Sequence, residues 1–368
     1  MMKAAYITSR PDIGKLTEHL QLDETTIPTL TASELKPNQV LIHVKAFSIN
    51  IDDVNVAQGS MLGGIGIAQA PYPTKSNPHV PGSAYSGTIQ AVGSKVTDFL
   101  KGDRVFGFNA QPFLHEMGPW AERTIGNPKN LLKLPNNFTF VQGAALVMPL
   151  VVAGDMYDLA VPSVAMGTER VMVLGASGGI GSVLVQALRK KFPKLHIVGV
   201  CSSKSNDFVM KLGANSTIDY NKGPIHVTVL GSSANDNSNF DVILDCVGGY
   251  DYYQSAEKIL APRTGTFITC TGTEQWIGDR MFTRLEAFQY LWQTFMVPLI
   301  YNRLPGKHPY YYFAGPMTFG EGSRMIMEQK TIPGIEKVIP FEEDALKSAI
   351  NLVAAHRAKG KIVVNLEA

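Results

Sequence analysis

The chain has 368 residues, of which 45% are hydrophobic and 17% are charged. A single hydrophobic core rarely grows beyond about 250–300 residues, so this length predicts two domains, and the apolar fraction excludes a disordered chain. Lysine and arginine number 33 against 31 acidic residues, which leaves a net charge of +2 without a basic block. Neither nucleic acid nor an anionic membrane surface is therefore expected as a partner.

Cysteine usage and apolar runs indicate the compartment. Cys201, Cys246 and Cys270 are too few for a disulfide framework, and each ends or closely follows an apolar run, where cysteine usually packs as a small hydrophobe. The first residues resemble a strand and carry no presequence. The longest apolar stretches, Ala144–Ala153 and Phe295–Ile300, are shorter than the roughly 20 residues of a membrane span. We expect a cytoplasmic protein without a membrane span, with an organelle stroma or matrix as the alternative.

The pattern of predicted elements changes along the chain. The first 130 residues hold three strand-like runs without a helical crossover, which favours antiparallel pairing: Val40–Phe47, Tyr85–Val92 and Asp103–Phe108. Strands and helices alternate after Asn136, which predicts a parallel sheet: helix Thr139–Asp158, strand Val171–Leu174, helix Ser182–Lys190, strand His196–Cys201, helix Ser205–Leu212, and strands Thr217–Asp219, Val242–Asp245 and Thr266–Cys270. A last strand, Lys361–Leu366, is predicted to rejoin the β-rich domain.

A glycine-rich turn follows the first strand of the parallel region. Small residues occupy the three positions of G-x-G-x-x-G, with Ala176 first, then Gly178 and Gly181. The strand before the turn and the helix after it are the context in which such a turn holds a dinucleotide pyrophosphate at a helix N-terminus. The alternative is a packing turn without a ligand. We predict that the pyrophosphate is held by Ala176, Ser177, Gly178, Gly179, Ile180 and Gly181.

The end of the next strand indicates which dinucleotide binds. An NAD site places an acidic residue about 20 positions after the turn to accept from the ribose hydroxyls. Here Ser202, Ser203 and Lys204 supply hydroxyls and an ammonium instead, which suit a 2′-phosphate, and Tyr220 is placed to donate to the same group. The alternative is an ordinary exposed loop. The missing acid favours NADPH.

At this point the chain resembles the zinc-independent branch of the medium-chain dehydrogenase/reductase superfamily, the quinone oxidoreductases and their enoyl-reductase relatives. The segment Tyr310–Pro316 looks most like the reticulon-interacting mitochondrial oxidoreductases. The matching segments cover nearly the whole length: Ala46–Val54, Pro78–Gly93, Lys101–Phe108, Gly175–Gln186, Leu212–Tyr220, Phe240–Gly249 and Ala358–Asn365.

The resemblance implies an α/β protein with two domains and an active site in the cleft between them. A GroES-like β-barrel catalytic domain would comprise residues 1–137 and 315–368, and a Rossmann domain with a doubly wound parallel sheet would comprise residues 138–314. The resemblance also implies a homodimer formed through the edge of the Rossmann sheet. We expect Val247 to contact the cofactor, together with Tyr312 and Phe313 from the segment that relatives bring past the nicotinamide.

Residues at the zinc-ligand positions of related alcohol dehydrogenases argue against a metal. Asn50 stands where those enzymes have cysteine, and Gly82-Ser83-Ala84 stands where they have Gly-His-Glu. A carboxamide, a hydroxyl and a methyl do not form a tetrahedral zinc site, so we predict no metal. Without a Lewis acid, hydride would pass to a small-molecule acceptor that is already electrophilic, a quinone or an α,β-unsaturated carbonyl compound.

Three residues are the catalytic candidates. Asn50 and Asp53 lie at the cleft floor by resemblance, although both residue types also favour the turn after a strand. Tyr85 could donate a proton to a forming enolate, although a core tyrosine is the competing interpretation. Ala84 replaces the acidic residue usual in the family and is expected to loosen any polar network there.

Aromatic residues are dense between Glu274 and Pro316. Phe288, Trp292 and Phe295 recur at helical spacing, which favours packing, either in the core or at a dimer interface. The sequence as a whole predicts an NADPH-dependent, metal-free quinone or enone reductase. The alternatives are a trans-2-enoyl-thioester reductase and a non-catalytic NADPH-binding protein with a structural or signalling role.

Overall fold

The structure is a computed structural model that describes residues 1–59, 73–109, 117–165, 167, 169–232, 239–272, 283–296, 299–300, 302–303, 310–313, 318–355, 358 and 360–367. The strands are β1 (Ala4–Tyr6), β2 (Gln21–Asp23), β3 (Val40–Ile49), β4 (Ala84–Val92), β5 (Arg104–Phe108), β6 (Arg123–Gly126), β7 (Leu131–Lys133), β8 (Arg170–Leu174), β9 (His196–Cys201), β10 (Ser216–Asp219), β11 (Val242–Asp245), β12 (Thr266–Thr269), β13 (Tyr310–Phe313), β14 (Ile335–Pro340) and β15 (Lys361–Asn365). The α-helices are α1 (Leu16–His19), α2 (Ile51–Gln58), α3 (Phe140–Ala165), α4 (Gly179–Lys191), α5 (Asn206–Lys211), α6 (Ile225–Ser232), α7 (Tyr250–Glu257), α8 (Arg284–Leu291), α9 (Glu321–Glu328) and α10 (Glu343–Ala354).

The chain divides into two compact units. The first comprises Met1–Met148, Ile277–Ala287 and Ile335–Ala368, and the second comprises Pro149–Trp276 and Phe288–Gly334.

The first unit is built on a seven-stranded sheet. The strands follow the order β14-β15-β3-β4-β5-β7, and β6 also pairs with β3. All pairings are antiparallel except that of β14 with β15. Alternating residues of β3 and β4 face a core that includes Phe47, Tyr85 and Trp120, each fully buried. The C-terminal strand β15 lies beside β3, so the last residues of the chain rejoin the first sheet, as predicted.

The second unit contains a parallel six-stranded sheet in the order β10-β9-β8-β11-β12-β13. Relative to the chain, this is the order 3-2-1-4-5-6 of a dinucleotide-binding sheet. The strand order reverses between β8 and β11. Ligands of such sheets bind at the carboxyl ends of the strands beside this reversal.

Nearly every strand and helix predicted from the sequence is present, with ends that differ by a few residues. Helix α3 is longer than predicted because apolar residues continue to Ala165, and it carries Pro149 and Pro162 within its span. The sequence analysis did not predict the strands β2, β6, β7 and β14 or the helices α1, α2, α6, α7, α9 and α10. Neither did it predict that Tyr310–Phe313 forms β13, the edge strand of the parallel sheet.

The boundaries of the two units fall at other residues than the predicted domain boundaries. The first turns of α3 pack through Ala144 and Ala145 on residues of β3 and β15, so they belong to the first unit. Helix α9, beyond the predicted return at residue 315, stays in the second unit. Its Gly322 N–H donates to Asp158 Oδ2 at 2.9 Å, and Ser323 Oγ donates to the Leu150 carbonyl at 3.2 Å.

One helix in the described part of the chain is long and apolar enough to cross a membrane. It covers Phe140–Val164, and 72% of its most apolar window is buried within the protein. A core helix passes the same test of length and composition, so this is weak evidence for a span.

Candidate functional site

The turn after β8 has the conformation that the glycine motif predicts. Gly175 has φ +73°, which a residue with a side chain rarely adopts. The Gly178 N–H donates to the Gly175 carbonyl at 2.9 Å, and the Ala176 N–H donates to the Val200 carbonyl at 3.0 Å. Because the left-handed position is Gly175 and not Ala176, alanine is tolerated at the first position of the motif.

Gly178 and Gly181 have different structural roles in this turn. A Cβ at Gly181 would lie 2.3 Å from the Gly175 carbonyl oxygen, so this glycine lets α4 pack against the turn. A Cβ at Gly178 would meet only that oxygen, at 3.2 Å. Gly178 is the N-cap of α4, a 13-residue helix whose first N–H groups and positive dipole end suit an anion. The residues from Ala176 to Gly181 therefore lie together where a pyrophosphate would bind.

Val247 lies beside this turn, at the end of β11. A Cβ built at Gly175 would approach Val247 Cγ2 to 2.9 Å, which places the two residues in contact. The Asp245 carboxylate holds the segment by accepting from the N–H groups of Val247 and Gly248, both at 3.0 Å. Val247 is thus at the predicted cofactor edge of the sheet.

Ser202, Ser203 and Lys204 follow β9, and Ser203 and Lys204 are exposed. A carboxylate that the sequence analysis overlooked lies beside them. Asp219 pairs with Cys201 in register, and it accepts hydrogen bonds from Ser203 and from the Asn221 backbone N–H at 3.0 Å. These hydrogen bonds, led by that from Asn221, lower the pKa of Asp219 and keep it ionised.

The remaining cofactor candidates lie on the parallel sheet. Tyr220 directly follows Asp219 and is exposed. Tyr312 and Phe313 are on the edge strand β13, in register with Ile268 and Thr269 of β12. Two strands, β11 and β12, separate β13 from β8. The contact of Tyr312 and Phe313 with a nicotinamide stays a prediction.

In the first unit, Asn50 and Asp53 form the N-terminal cap of α2. Asn50 is the N-cap, and its backbone N–H donates to Asp53 Oδ2 at 2.9 Å. Both side chains are buried. This is the turn-capping role that the sequence left open as the alternative to catalysis.

The Asn50 carboxamide is fully occupied within the protein. Its Nδ2 lies 3.1 Å from Asp53 Oδ2, 3.3 Å from Ser83 Oγ and 3.3 Å from the Ser48 carbonyl oxygen. Its Oδ1 accepts a hydrogen bond from Lys361 Nζ. We call Asn50, Asp53, Ser83 and Lys361 the Asn50 cluster. Ser83 and Lys361 both contribute to a polar network beside Ala84, and the expected effect of Ala84 on that network stays a prediction.

Lys361 is a candidate site residue that the sequence analysis did not single out. It is the first residue of β15, and it is half-buried. Burial lowers the pKa of its ammonium to about 8, although Asp53 and Asp52 oppose that shift. The only signal in the sequence is a lysine at the start of an apolar strand. Its partners lie more than 300 residues earlier, so only the pairing of β15 with β3 reveals the contact.

Asp53 is the acidic member of the cluster. Burial raises its pKa to about 6, against the lowering effect of hydrogen bonds from Ser83 and Asn50. In the described part of the chain, no group donates a hydrogen bond to Asp53 Oδ1, which is buried. Burial thus moves the pKa of Asp53 up and that of Lys361 down, and Asn50 is in contact with both residues.

Tyr85 is not part of this cluster. Its side chain is fully buried in the core of the first unit, and its hydroxyl faces Gly126, where an added Cβ would approach it to 2.8 Å. The packing role that the sequence left open for Tyr85 fits this position, and we do not carry the residue into the proposed chemistry.

Two family models match the chain. One, described as "Alcohol dehydrogenase GroES-like domain", matches residues 36–136, and the other, described as "Zinc-binding dehydrogenase", matches residues 212–364. Together they cover more than half of the chain.

Similar proteins have related descriptions. A zinc-type alcohol dehydrogenase-like protein of Schizosaccharomyces pombe is 27% identical over an alignment of 374 positions, which covers 99% of this chain and 97% of that protein. The mitochondrial NAD(P)H oxidoreductase RTN4IP1 of Bos taurus is 27% identical over an alignment of 364 positions, which covers 90% of this chain and 82% of that protein. The solved quinone oxidoreductase of Coxiella burnetii has a TM-score of 0.72 at 21% identity and covers 99% of both chains. The predicted fold, a GroES-like domain with a Rossmann domain, is confirmed.

The name of one matching model raises the question of zinc. The Asn50 cluster supplies a carboxamide, a hydroxyl, one buried carboxylate and an ammonium, and the ammonium already holds the carboxamide oxygen. Zinc in proteins is bound by thiolates, imidazoles and carboxylates, so this donor set does not fit it. In the part of the chain that the structure describes, no group of three or more His, Cys, Asp or Glu side chains is arranged to hold a metal.

Proposed function

The chain belongs to the medium-chain dehydrogenase/reductase superfamily, and we propose that it is an NADPH-dependent, metal-free reductase of quinones or α,β-unsaturated carbonyl compounds. The cofactor would be held by the turn from Ala176 to Gly181, with Val247 beside it and Ser202 to Lys204 at the adenosine end. When bound, the reduced nicotinamide supplies hydride to the acceptor.

The observation that carries the proposal is the Asn50 cluster. The Lys361 ammonium has three N–H groups, and the hydrogen bond to Asn50 uses one of them. In the described residues Lys361 makes no other hydrogen bond, so it has N–H groups to offer to a carbonyl or quinone oxygen. We therefore assign to Lys361 the role of holding that oxygen and donating a proton to it.

The other members of the cluster prepare Lys361 for this role. Asn50 fixes the position of the ammonium, and the carboxylates of Asp53 and Asp52 favour its protonated form. Asp53, with a pKa of about 6, is placed to exchange protons with the cluster between turnovers. An acid with a pKa near the working pH is an efficient general acid, so Lys361 suits this step.

The test is NADPH oxidation by the purified protein. The acceptors are a small quinone, a large planar quinone, an alkenal and an enoyl-CoA, and NADH is run in parallel. Turnover with a quinone or the alkenal, and preference for NADPH, supports the proposal. Turnover with enoyl-CoA alone contradicts it in favour of an enoyl-thioester reductase. Tight NADPH binding without turnover contradicts it in favour of a non-catalytic role.

A matched pair of variants tests the assignment of Lys361. Lys361→Met removes the ammonium and keeps most of the volume. Lys347 is the control, since it lies on α10 in a salt bridge with Glu343 at 2.6 Å. Lys361→Met should abolish most of the turnover while Lys347→Met has no effect. Equal activity of the two variants would refute the role of Lys361.

The compartment is also a proposal. Relatives from Bos taurus and Mus musculus are named as mitochondrial, which supports the organelle alternative over the cytoplasm. Two versions of the protein, one tagged at the N-terminus and one at the C-terminus, would be expressed in cells. Fractionation of those cells distinguishes the two locations.

A further inference from the structure

Two cysteines lie side by side at the carboxyl edge of the parallel sheet. Asp245 of β11 and Thr269 of β12 are register partners, and Cys246 and Cys270 are the next residues of the two strands. Neighbouring strands are about 4.8 Å apart, which falls within the Cα separation of a disulfide, about 4.4–6.8 Å. The two thiols are hydrogen-bonded to each other, and both are half-buried.

The backbone around the two cysteines is held in place. Thr269 Oγ1 donates to Asp245 Oδ2 at 2.9 Å, and the Cys270 N–H donates to the Asp245 carbonyl at 3.1 Å. The Gly272 N–H donates to Thr269 Oγ1 at 3.0 Å. The two bonds to Asp245 join the ends of the two strands. The fold therefore holds the two cysteines next to each other.

Cys246 also contacts the phosphate-binding turn. A Cβ built at Gly175 would lie 3.7 Å from Cys246 Cβ, and the Cys246 N–H donates to the Leu174 carbonyl at 3.2 Å. Cys246 lies beside the point where the strand order reverses, and Cys270 follows the next strand, at the edge of the sheet where a dinucleotide binds. Cys246 is therefore close enough to the turn for a change in its side chain to affect it.

We propose that Cys246 and Cys270 form a reversible disulfide when the protein meets a peroxide, and that this disulfide weakens binding at the phosphate-binding turn. The second half rests on the proposed function, because it takes the turn as the cofactor site. Formation of the disulfide does not depend on that assignment.

The chemistry assigns different roles to the two sulfurs. The hydrogen bond to Cys270, together with burial, raises the pKa of Cys246, so Cys246 is the donor of the pair. The Cys270 thiolate attacks hydrogen peroxide, the O–O bond breaks, and Cys270 becomes a sulfenic acid as one water leaves after protonation. Cys246 then attacks that sulfur, the S–S bond forms, and the sulfenic oxygen leaves as a second water. Two thiols are oxidised, and one peroxide is reduced to two waters.

The third cysteine is an internal control. Cys201 ends β9 and is buried, and burial, with a contribution from Asp219, raises its pKa to about 11. Strand β8 lies between β9 and β11, so Cys201 is roughly 10 Å from Cys246, beyond the reach of a disulfide. Cys201 is expected to remain a thiol.

The experiment treats the reduced, cofactor-free protein with hydrogen peroxide and measures intact mass, free thiols and a peptide map. We expect a mass loss of two hydrogens, a fall from three free thiols to one, a Cys246–Cys270 linked peptide, and reversal by dithiothreitol. Cys201→Ser should behave in the same way, whereas Cys246→Ser and Cys270→Ser should not form the link. Absence of the linked peptide in wild type, or oxidation of Cys201 instead, would overturn the proposal.

Titration with NADPH before and after oxidation tests the second half. We expect the disulfide to weaken NADPH binding about tenfold or more, equivalent to about 1.4 kcal/mol, and the Cys270→Ser variant to keep its affinity after peroxide. Unchanged affinity of the cross-linked protein would overturn the effect on the turn. A reduced protein that does not bind NADPH at all would contradict the proposed function and leave the disulfide result intact.

Discussion

At the scale of single residues, the chemistry proposed for the first unit depends on a lysine. Asn50 has the residue type that would hold a substrate, but its amide hydrogens and its oxygen are used within the protein. Burial disfavours the charged form of Lys361 and lowers its pKa. An ammonium with a lowered pKa is a candidate acid.

The pH dependence of turnover follows from the same residue. Since the ammonium is the proposed acid and its pKa in the ligand-free protein is about 8, kcat/KM should fall as the pH rises through that value. Lys361→Met should lower kcat by roughly 10²-fold and lose this limb of the profile. Stopped-flow or steady-state rates between pH 6 and 10 measure both. A Lys361→Met profile that keeps the limb would assign it to another group.

The proposed preference for NADPH would depend on two neighbouring charges. Lys204 favours a 2′-phosphate, whereas the Asp219 carboxylate opposes it. Lys204→Ala should raise the KM for NADPH about tenfold and leave that for NADH unchanged, because only the 2′-phosphate is affected. Asp219→Asn should lower the KM for NADPH. Steady-state kinetics with both cofactors measure the changes, and an equal effect on NADPH and NADH would contradict the assignment.

At the scale of elements, two glycines at the junction of β8 and α4 are expected to have separate effects, one on the stability of the protein and the other on cofactor binding. Gly181→Ala forces a Cβ against the Gly175 carbonyl and should destabilise the protein by roughly 1–3 kcal/mol. A Cβ at Gly178 would meet only the Gly175 carbonyl oxygen, at 3.2 Å, so Gly178→Ala should cost less stability than Gly181→Ala and weaken NADPH binding about tenfold. Urea denaturation and NADPH titration of the two variants check this division. A Gly178→Ala protein with unchanged affinity would show that the turn does not hold the cofactor.

The exposure of aromatic side chains on α8 and just after it bears on the expected packing of this segment, either in the core or at a dimer interface. Core packing is wrong for Phe288 and Trp292, whose side chains are 61% and 44% exposed and stack on each other with ring centroids 6.3 Å apart. The side chain of Phe295 lies outside the described residues. Exposed apolar residues of this size favour the other interpretation, an interface.

At the scale of the whole molecule, the dimer that the resemblance implies is a prediction with a direct test. The second unit offers an exposed aromatic pair and the edge strand β13. Phe288→Lys combined with Trp292→Lys should convert a dimer to a monomer, because charges oppose burial in an apolar interface. Sedimentation or light scattering gives the mass, and Lys347→Met again serves as the control. A double variant that stays dimeric would place the interface elsewhere.

The sequence by itself determined most of the fold, because local hydrophobic periodicity and turn residues predict where strands and helices form. The turn from Gly175 to Gly181 was found for the same reason, since its strand, turn and helix are contiguous in the chain. Residues far apart in the chain met only in the tertiary structure. The pairing of β15 with β3 brings Lys361 to Asn50, the register of β10 with β9 brings Asp219 to Ser203, and that of β11 with β12 brings Cys246 to Cys270. Local patterns predict elements, but they contain no information on which elements become neighbours, and that choice decided the candidate site.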